Sequence, residues 1–323
     1  MKKNIVLFTL FICLSPFFSE AQTNPYRSEF GFRSENDSYL AAGKDRYYTN
    51  GLSLNFRTAL DQSKLRNKKL NKMILEFEAG QKIFNPQSGS ILNIVYVDRP
   101  FAGYLYAGAA LNLLYNSENN LKLSVQTGTI GPSALAKEAQ ELMHNSFGFY
   151  QISGWQWQVN NELAINATAE YNYLINRSSS GKLDLSTNSY INIGNTFSGA
   201  GVGIMFRTGT LNSFYNSASF QSRLSNNNPK ADQHTRELFI YAKPMLHYIA
   251  YDATIQGGLF LKDKGPVVFD IKPVVVSQQA GVIYSQNRFT ADFSIILKSR
   301  EVKSIAKSDQ FGSIALYYRF NKI

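Results

Sequence analysis

Apolar and polar residues alternate one by one along many segments of the chain, and this pattern restricts the possible folds more than any other feature. In residues 165–173, Ile, Ala, Ala, Tyr and Tyr alternate with Asn, Thr, Glu and Asn. Residues 289–297 repeat the arrangement, with Phe, Ala, Phe, Ile and Leu at every second position. Because successive side chains of a β-strand point to opposite faces, each segment predicts a strand with one apolar and one polar face. The chain is therefore predicted to be all-β and antiparallel.

The composition favours a membrane barrel over a soluble sheet. The chain has 19 Tyr and 23 Phe, yet its mean hydropathy of −0.22 is that of a soluble protein. After residue 21, no apolar run is long enough to span a membrane as a helix. Outer-membrane barrels combine alternating strands of about ten residues with aromatic girdles and a polar interior. A soluble β-sandwich, which keeps its apolar face inside, remains the alternative.

The number of strands is constrained by closure. The segments that look like strands, which include Glu237–Tyr248 and Ala250–Leu261, add up to an odd number. Single-chain bacterial barrels have an even number of strands, so one segment between Lys182 and Leu261 is not a separate strand. We predict a transmembrane antiparallel β-barrel of about 12 strands, with one amphipathic helix in an external loop.

The N-terminus predicts export. Lys2 and Lys3 precede a short apolar stretch over residues 5–18, and residues 19–21 (Ser, Glu, Ala) form a small-x-small cleavage site. These features indicate a signal peptide at 1–21 and a barrel domain at 22–323. Cys13 is the only cysteine of the chain and lies in the predicted leader, so disulfides are excluded from the mature domain.

The chain is basic, with a formal net charge of +10. An exported protein rarely meets nucleic acid, and we expect none as a partner. The outer surface of a Gram-negative bacterium is rich in phosphorylated glycolipid, which attracts positive charge. The alternative is that the basic residues only solubilise loops and turns.

One segment, residues 133–148, has a helical pattern. Pro132 fits the first helical turn and Gly148 fits the left-handed residue after the last turn. The segment has an apolar stripe, and four polar residues are expected on the other side of the helix. The stripe is Leu135, Ala139 and Leu142, and the polar residues are Lys137, Gln140, Glu141 and His144. We expect this helix to close over a reaction site and to bring His144 to it.

Four features are predicted to meet at the external rim: Asn36-Asp37 after the first strand, Thr49 in the second, Lys82 in the third, and His144 on the helix. A neutral His deprotonates water, and an Asp with neighbouring oxygens binds Ca²⁺. The metal and a Lys stabilise an oxyanion, so the residue types suit ester hydrolysis. Each also has a purely structural interpretation: a solvated helix residue, a turn, a strand residue or a charge lining a pore.

Five stretches of the sequence resemble the outer-membrane lipid A 3′-O-deacylase family. They are spread over most of the chain after the leader, from residue 35 to residue 320, and occur in the order of the family. They are ENDSYLAAGKDRYYTNGLSL (35–54), YVDRPFAGYLYAG (96–108), IGPSALAKEAQELMH (130–144), GWQWQVNNELAIN (154–166) and DQFGSIALYYRF (309–320).

This resemblance implies a 12-stranded barrel whose active site lies between the barrel wall and a helix from an external loop. It implies Ca²⁺-dependent removal of the 3′-linked acyloxyacyl chain of lipid A, by a mechanism similar to that of secreted phospholipase A2. His144 matches the general base of the family, Asn36 and Asp37 match the metal residues, Thr49 matches the Thr of YTNG, and Lys82 matches an active-site Lys.

The expected substrate is therefore lipid A of lipopolysaccharide, and the expected location is the outer membrane of a Gram-negative bacterium, with the active site at the outer leaflet. No protein partner is predicted. Lys44 and Arg46 are expected to bind a phosphate of the glucosamine disaccharide. Two other functions remain open: an esterase that acts on phospholipid, and a passive barrel or porin without activity.

Overall fold

The alternating segments form a closed antiparallel barrel. The computed structural model describes residues 26–40, 45–61, 67, 69–224 and 234–322, and these residues form twelve strands, each paired with its neighbours in the chain and with the first paired to the last. The predicted leader and Lys44 lie outside the described residues. The strands are β1 Tyr26–Asn36, β2 Tyr47–Ala59, β3 Leu70–Asn85, β4 Ala102–Tyr115, β5 Asn119–Ile130, β6 Glu162–Arg177, β7 Leu183–Gly194, β8 Phe197–Thr210, β9 Arg236–Asp252, β10 Val274–Gln286, β11 Phe289–Lys298 and β12 Asp309–Lys322.

The predicted strand Ala250–Leu261 is wrong, and it accounts for the odd number of segments. Strand β9 continues to Asp252, whose carboxylate accepts a hydrogen bond of 2.8 Å from the Thr254 N–H. This side chain caps a short helix at Ala253–Gln256, and Gly257 ends the helix with a positive φ of 73°. An Asp followed by such a turn starts a helix because its oxygen satisfies a free N–H group of the first turn.

The two faces of the sheet are reversed relative to a soluble protein. On β1, which is paired with β2 and β12, Phe30 and Phe32 are exposed on the outside of the barrel. Glu29 on the same strand is buried inside. Inside, Arg57 lies 3.0 Å from Glu29 and 2.6 Å from Glu76, so the buried charges are paired. An apolar outside and a polar inside are typical of a membrane barrel. The sandwich alternative is wrong because the strands form one closed sheet.

The barrel is closed at the end where the turns are short, here called the short-turn end. The connection between β8 and β9 folds back into the barrel there, and Phe214, Phe220 and Leu224 pack on buried side chains of the strands. Lys72 Nζ donates to Asn216 Oδ1 and to two main-chain carbonyls of this connection, at 2.5–3.0 Å.

The opposite end, here called the long-loop end, is also covered. Tyr47, Ile255, Ile271 and Val302 form a small apolar cluster between the start of β2 and two connections, β9 to β10 and β11 to β12. Arg99 Nη2 donates to Thr254 Oγ1 at 2.8 Å, which joins the connection between β3 and β4 to the same region. Connections thus pack at both ends of the barrel. Among the residues that the structure describes, no helix is long and apolar enough to cross a membrane.

Candidate functional site

The predicted helix is present at the long-loop end. Helix α1 spans Ala136–Phe147 and follows a 3-10 turn at Pro132–Ala134, so Pro132 begins the helical segment as expected. The helix ends at Gly148, whose φ of 69° is left-handed and whose N–H donates to the carbonyl of His144. Glycine adopts this conformation without a steric cost, which explains why the helix stops there.

The buried face of α1 is polar. Ala136, Gln140 and His144 follow one another at intervals of four residues and are buried, whereas Leu142 is 69% exposed and Leu135 is also exposed. An apolar stripe normally marks the packed side of a helix. Here Gln140 and His144 take that side, and the Trp155 indole donates to Gln140 Oε1 at 3.0 Å.

Helix α1 packs on the outside of the barrel wall, not in its mouth. A Cβ atom on Gly103 would lie 2.5 Å from the Ala136 Cβ, so the helix segment touches the backbone of β4. Gln81 Nε2 donates to the Ala134 carbonyl at 2.6 Å. Gly103 and Gln81 share the face of β4 and β3 that carries the exposed side chains of Leu105 and Phe77, which is the outside.

His144 has a defined orientation beneath this helix and is only 2% exposed. Its Nδ1 lies 2.7 Å from the main-chain carbonyl of Tyr150. A carbonyl only accepts hydrogen bonds, so Nδ1 carries the proton. Nε2 lies 3.1 Å from Asp45 Oδ2, but the two atoms lack the geometry of a hydrogen bond. In the neutral ring, Nε2 therefore presents its lone pair to this part of the site.

Asp45 and Tyr150 complete the surroundings of His144 and were not predicted. The Tyr150 hydroxyl donates to Asp45 Oδ2, so Tyr150 binds the imidazole through its carbonyl and the carboxylate through its hydroxyl. Asp45 has a left-handed φ of 42°, which places its side chain toward the helix. Asp45 opens the DRYYTNG motif, which is the signal that could have identified it. Tyr150 follows α1 in a stretch without a motif and offered no such signal.

Thr49 links two carboxylates. Its Oγ1 lies 3.3 Å from Asp37 Oδ1 and 3.3 Å from Asp45 Oδ1, and its single proton serves one of them at a time. The register of β2 against β3 shifts between Tyr48 and Asn50, so Thr49 is the extra residue of a bulge. A bulge re-aims a side chain relative to the regular alternation, which explains how Thr49 reaches Asp37 and Asp45.

Asn36 and Asp37 lie at the outer end of β1. Asn36 Oδ1 accepts from the Ser38 N–H at 2.7 Å, and Asp37 Oδ2 accepts from the Arg46 N–H at 2.9 Å. Burial raises the pKa of Asp37 to about 6; the Arg46 N–H opposes this rise, and the charge of Asp45 adds to it. The structure thus brings Asp37, Thr49 and His144 together around Asp45, with Asn36 as the neighbour of Asp37.

Lys82 lies apart from this group. It points to the inside of β3, with Nζ 5.8 Å from the ring centre of Tyr106. There it lines an internal cavity of about 500 Å³ together with Glu35 and Tyr48. Its neighbour Gln81 points to the outside and contacts the helix segment, so the barrel wall separates Lys82 from His144.

The oxygen-rich part of the site suits a hard cation by donor type. Within the described ranges, no three His, Cys, Asp or Glu side chains are grouped as a metal site. Asp37 and Asp45 nevertheless share one hydroxyl, and neither forms an ion pair with a Lys or Arg among the residues described. Ca²⁺ takes carboxylate, amide and hydroxyl oxygens, with carbonyls and waters completing its shell. Asp37, Asp45, Thr49 and Asn36 therefore fit such an ion.

The twelve strands form a closed barrel with an apolar outside, which is typical of an outer-membrane β-barrel. This barrel carries a polar site between its wall and a loop helix. A family model described as outer membrane protein LpxR matches residues 6–320. The chain belongs to this family, which confirms the resemblance seen in the sequence.

A solved structure shares the barrel fold. LpxR from Salmonella typhimurium matches with a TM-score of 0.74 and 20% identity, over 90% of this chain and 100% of that chain. The beta domain of the Bordetella autotransporter BrkA has a TM-score of 0.45 and 7% identity, over 92% of this chain and 100% of that one. At these identities the likeness shows the fold alone. No curated protein sequence matches.

Proposed function

We propose that this protein is an outer-membrane esterase that removes the 3′-linked acyloxyacyl chain of lipid A at the outer leaflet. The observation that carries the proposal is the buried His144, whose proton is held on Nδ1 by the Tyr150 carbonyl and whose Nε2 faces a group of side-chain oxygens. Membership of the LpxR family and the position of the site on the outside of the wall support a lipid as the substrate.

In this mechanism Nε2 of His144 is the base. The hydrogen bond from Nδ1 to Tyr150 selects the tautomer in which Nε2 has a free lone pair. Water that attacks the ester carbonyl gives its proton to Nε2. The imidazole then becomes positive, and Asp45 Oδ2 at 3.1 Å attracts that charge. Asp45 thus stabilises the protonated ring formed during the reaction. When the tetrahedral intermediate collapses, the ester C–O bond breaks and the departing sugar oxygen takes the proton from Nε2.

The carboxylates provide the second half of the site. Asp37 and Asn36, with Asp45 and Thr49, would hold Ca²⁺. When bound, such an ion supplies positive charge for the oxygen of the ester carbonyl. Thr49 keeps the two carboxylates close together, and the Arg46 N–H orients Asp37. Lys82 was predicted to share the oxyanion charge, and its place inside the barrel makes this the least supported of the assigned roles.

Recognition of the substrate phosphate is assigned to the connection between β1 and β2. The Arg46 guanidinium lies 5.3 Å from the ring centre of Tyr47, and the main-chain N–H of Arg46 donates to Asp37. We expect Lys44→Glu combined with Arg46→Glu to weaken the binding of lipid A while the barrel still folds. Unchanged activity of the double variant on native lipid A would contradict this role.

A passive porin is disfavoured because the connection between β8 and β9 folds back into the barrel and packs on buried side chains of the strands. No observation in the structure favours phospholipid over lipid A. The choice between them is therefore an outcome of the experiment.

The test is mass spectrometry of lipid A incubated with the refolded protein, with Ca²⁺ or with a chelator, and with His144→Gln as the matched control. A loss equal to a 3′-linked acyl or acyloxyacyl group, seen only with wild type and Ca²⁺, is expected. A folded barrel that leaves lipid A unchanged and hydrolyses phospholipid would identify a phospholipase. A barrel that hydrolyses neither would be a passive one.

A further inference from the structure

Helix α1 and the residues at its two ends leave four apolar side chains exposed. Leu142 lies opposite the buried Gln140 and His144, Leu135 is exposed just before the helix, and Phe147 and Phe149 are exposed at its C-terminal end. The two phenylalanine rings stack at 5.9 Å. We call these four residues, Leu135, Leu142, Phe147 and Phe149, the outward apolar face. A helix in water would place its leucines toward the protein and its glutamine toward solvent.

The strand register shows that this face continues the apolar outside of the barrel. Gln81, which holds the helix segment through the Ala134 carbonyl, is paired with Leu52 on one side and Leu105 on the other. Paired residues share a face of the sheet, and both leucines are exposed on the outside. The helix therefore begins at the level of the last apolar residues of strands β2 and β4.

The same level can be followed further around the wall. Leu105 is paired with Thr129, and Thr129 is paired with Leu163, which is 64% exposed. The established interface of the barrel with lipid thus reaches the position of the helix on the neighbouring strands.

A second apolar segment is joined to the helix region. The connection between β3 and β4 forms a bridge to the segment after α1 through Ser90 and Ser153. It exposes Val95 and Leu92, the latter by 89%. Two connections that are tied together therefore both present apolar side chains outward at the long-loop end.

We infer that the outward apolar face of α1 lies among the acyl chains of lipids in the outer leaflet, so that the His144 site opens sideways to the bilayer. The occupant is the acyl chain of a bilayer lipid, because the face continues a surface that already contacts lipid. Lys137 and Glu141 flank the face as a 3.7 Å ion pair, which suits the polar boundary of the leaflet. The inference rests on the outer-membrane location and deepens the proposed function, since acyl chains would reach the site along this face.

Spin labelling tests the inference without using activity. A nitroxide on Leu142→Cys is compared with one on Leu163→Cys, which faces lipid, and with one on Ile305→Cys, which is 76% exposed in the connection between β11 and β12. Cys13 is the only native cysteine, so the leaderless chain has no competing thiol. The protein is refolded into phosphatidylcholine vesicles, and collisions with oxygen and with a water-soluble nickel chelate are measured.

We expect Leu142 to match Leu163, with a ratio of oxygen to nickel accessibility several-fold above that of Ile305. A value at Leu142 equal to that of Ile305 would overturn the inference. Spin–spin broadening between copies would also overturn it, because the occupant would then be a second copy of the chain. If the wild-type protein does not hydrolyse lipid A, the proposed function is contradicted, but the spin-label accessibility at Leu142 still tests the inference.

A second comparison connects the face to the substrate. Leu142→Asn with Phe147→Asn is expected to raise the KM for lipid A in vesicles several-fold, while hydrolysis of a soluble short-chain ester stays unchanged. Ile305→Asn is the matched control and is expected to change neither. An unchanged KM for lipid A in the double variant would show that acyl chains do not use this face.

Discussion

Tyr150 holds His144 by its main-chain carbonyl, 2.7 Å from Nδ1, while its own hydroxyl donates to the carboxylate that faces Nε2. One residue thus sets both the tautomer of the imidazole and the position of Asp45. This relationship leads to distinct expectations for the three side chains, because each can be altered without removing the other two.

Removal of the base should abolish most of the activity. His144→Gln is expected to lower kcat for lipid A by at least ~100-fold, since general base catalysis contributes about that much or more. Folding is checked by the shift in electrophoretic mobility on heating, which should not change. A kcat within a few-fold of wild type would show that His144 is not the base.

At saturating Ca²⁺, Asp45→Asn is expected to lower kcat by about tenfold, an effect of ~1.4 kcal/mol on the transition state, and to leave the KM for lipid A unchanged. The amide keeps one of the two oxygens that accept from Tyr150 and Thr49, and it lacks the charge that attracts the protonated ring. Measuring kcat and KM separately checks this. A rise in KM alone would mean that Asp45 contacts the substrate instead.

Tyr150→Phe should have a smaller effect than Asp45→Asn. It removes the hydroxyl that holds Asp45 and keeps the carbonyl that holds Nδ1. Tyr251→Phe is the control, because it removes a hydroxyl that donates to the Gly257 carbonyl at 2.6 Å, outside the His144 group. The rate of lipid A hydrolysis should fall for Tyr150→Phe only; equal rates for the two variants would contradict the role of the hydroxyl.

Asp37 predicts a pH dependence of stability. Its pKa in the folded chain is about 6, above the ordinary value of 3.8, so the folded state binds the proton more tightly than the unfolded state. Stability without a cation is therefore expected to fall as pH rises from about 4 to 6, by about 3 kcal/mol at most. Asp37→Asn is expected to abolish this pH-dependent loss of stability.

The measurement is urea unfolding in vesicles with a chelator, at pH 4 and pH 7.5. Asp37→Asn should unfold at a higher urea concentration than wild type at pH 7.5, and the two should be similar at pH 4. Ca²⁺ should stabilise the wild type at pH 7.5, and this effect should weaken as Asp37 is protonated near pH 6. A Ca²⁺ effect of equal size in Asp37→Asn would place the ion elsewhere.

Lys82→Met tests whether Lys82 stabilises the oxyanion, as the sequence predicts, or only lines the interior of the barrel, where the structure places it. A lysine at the oxyanion would cost ~100-fold or more in kcat when removed. Because Lys82 faces the interior cavity and not the His144 group, we expect a smaller loss than for His144→Gln. Lys82→Arg, which keeps the charge, is the control. A loss as large as that of His144→Gln would require Lys82 to act on the reacting atoms.

Much of the fold was predictable because it depends on local pattern. Alternation along 165–173 and 289–297 determined strands with an apolar outside, and Pro132 and Gly148 determined the ends of the helical segment. Asn36, Asp37, Thr49 and His144 were found from their motifs. The false strand at Ala250–Leu261 arose because alternation continues through the end of β9 into a segment whose capping Asp252 turns the chain.

What the sequence by itself determined was the barrel, its polar and apolar faces, and four of the residues of the candidate site. Only the tertiary structure decided that α1 lies outside the wall with Leu142 outward, that Asp45 and Tyr150 surround His144, and that Lys82 lies inside. The reason is physical. Alternation sets the face of each residue within one strand, whereas the neighbours of a loop depend on which strand ends meet when the sheet closes.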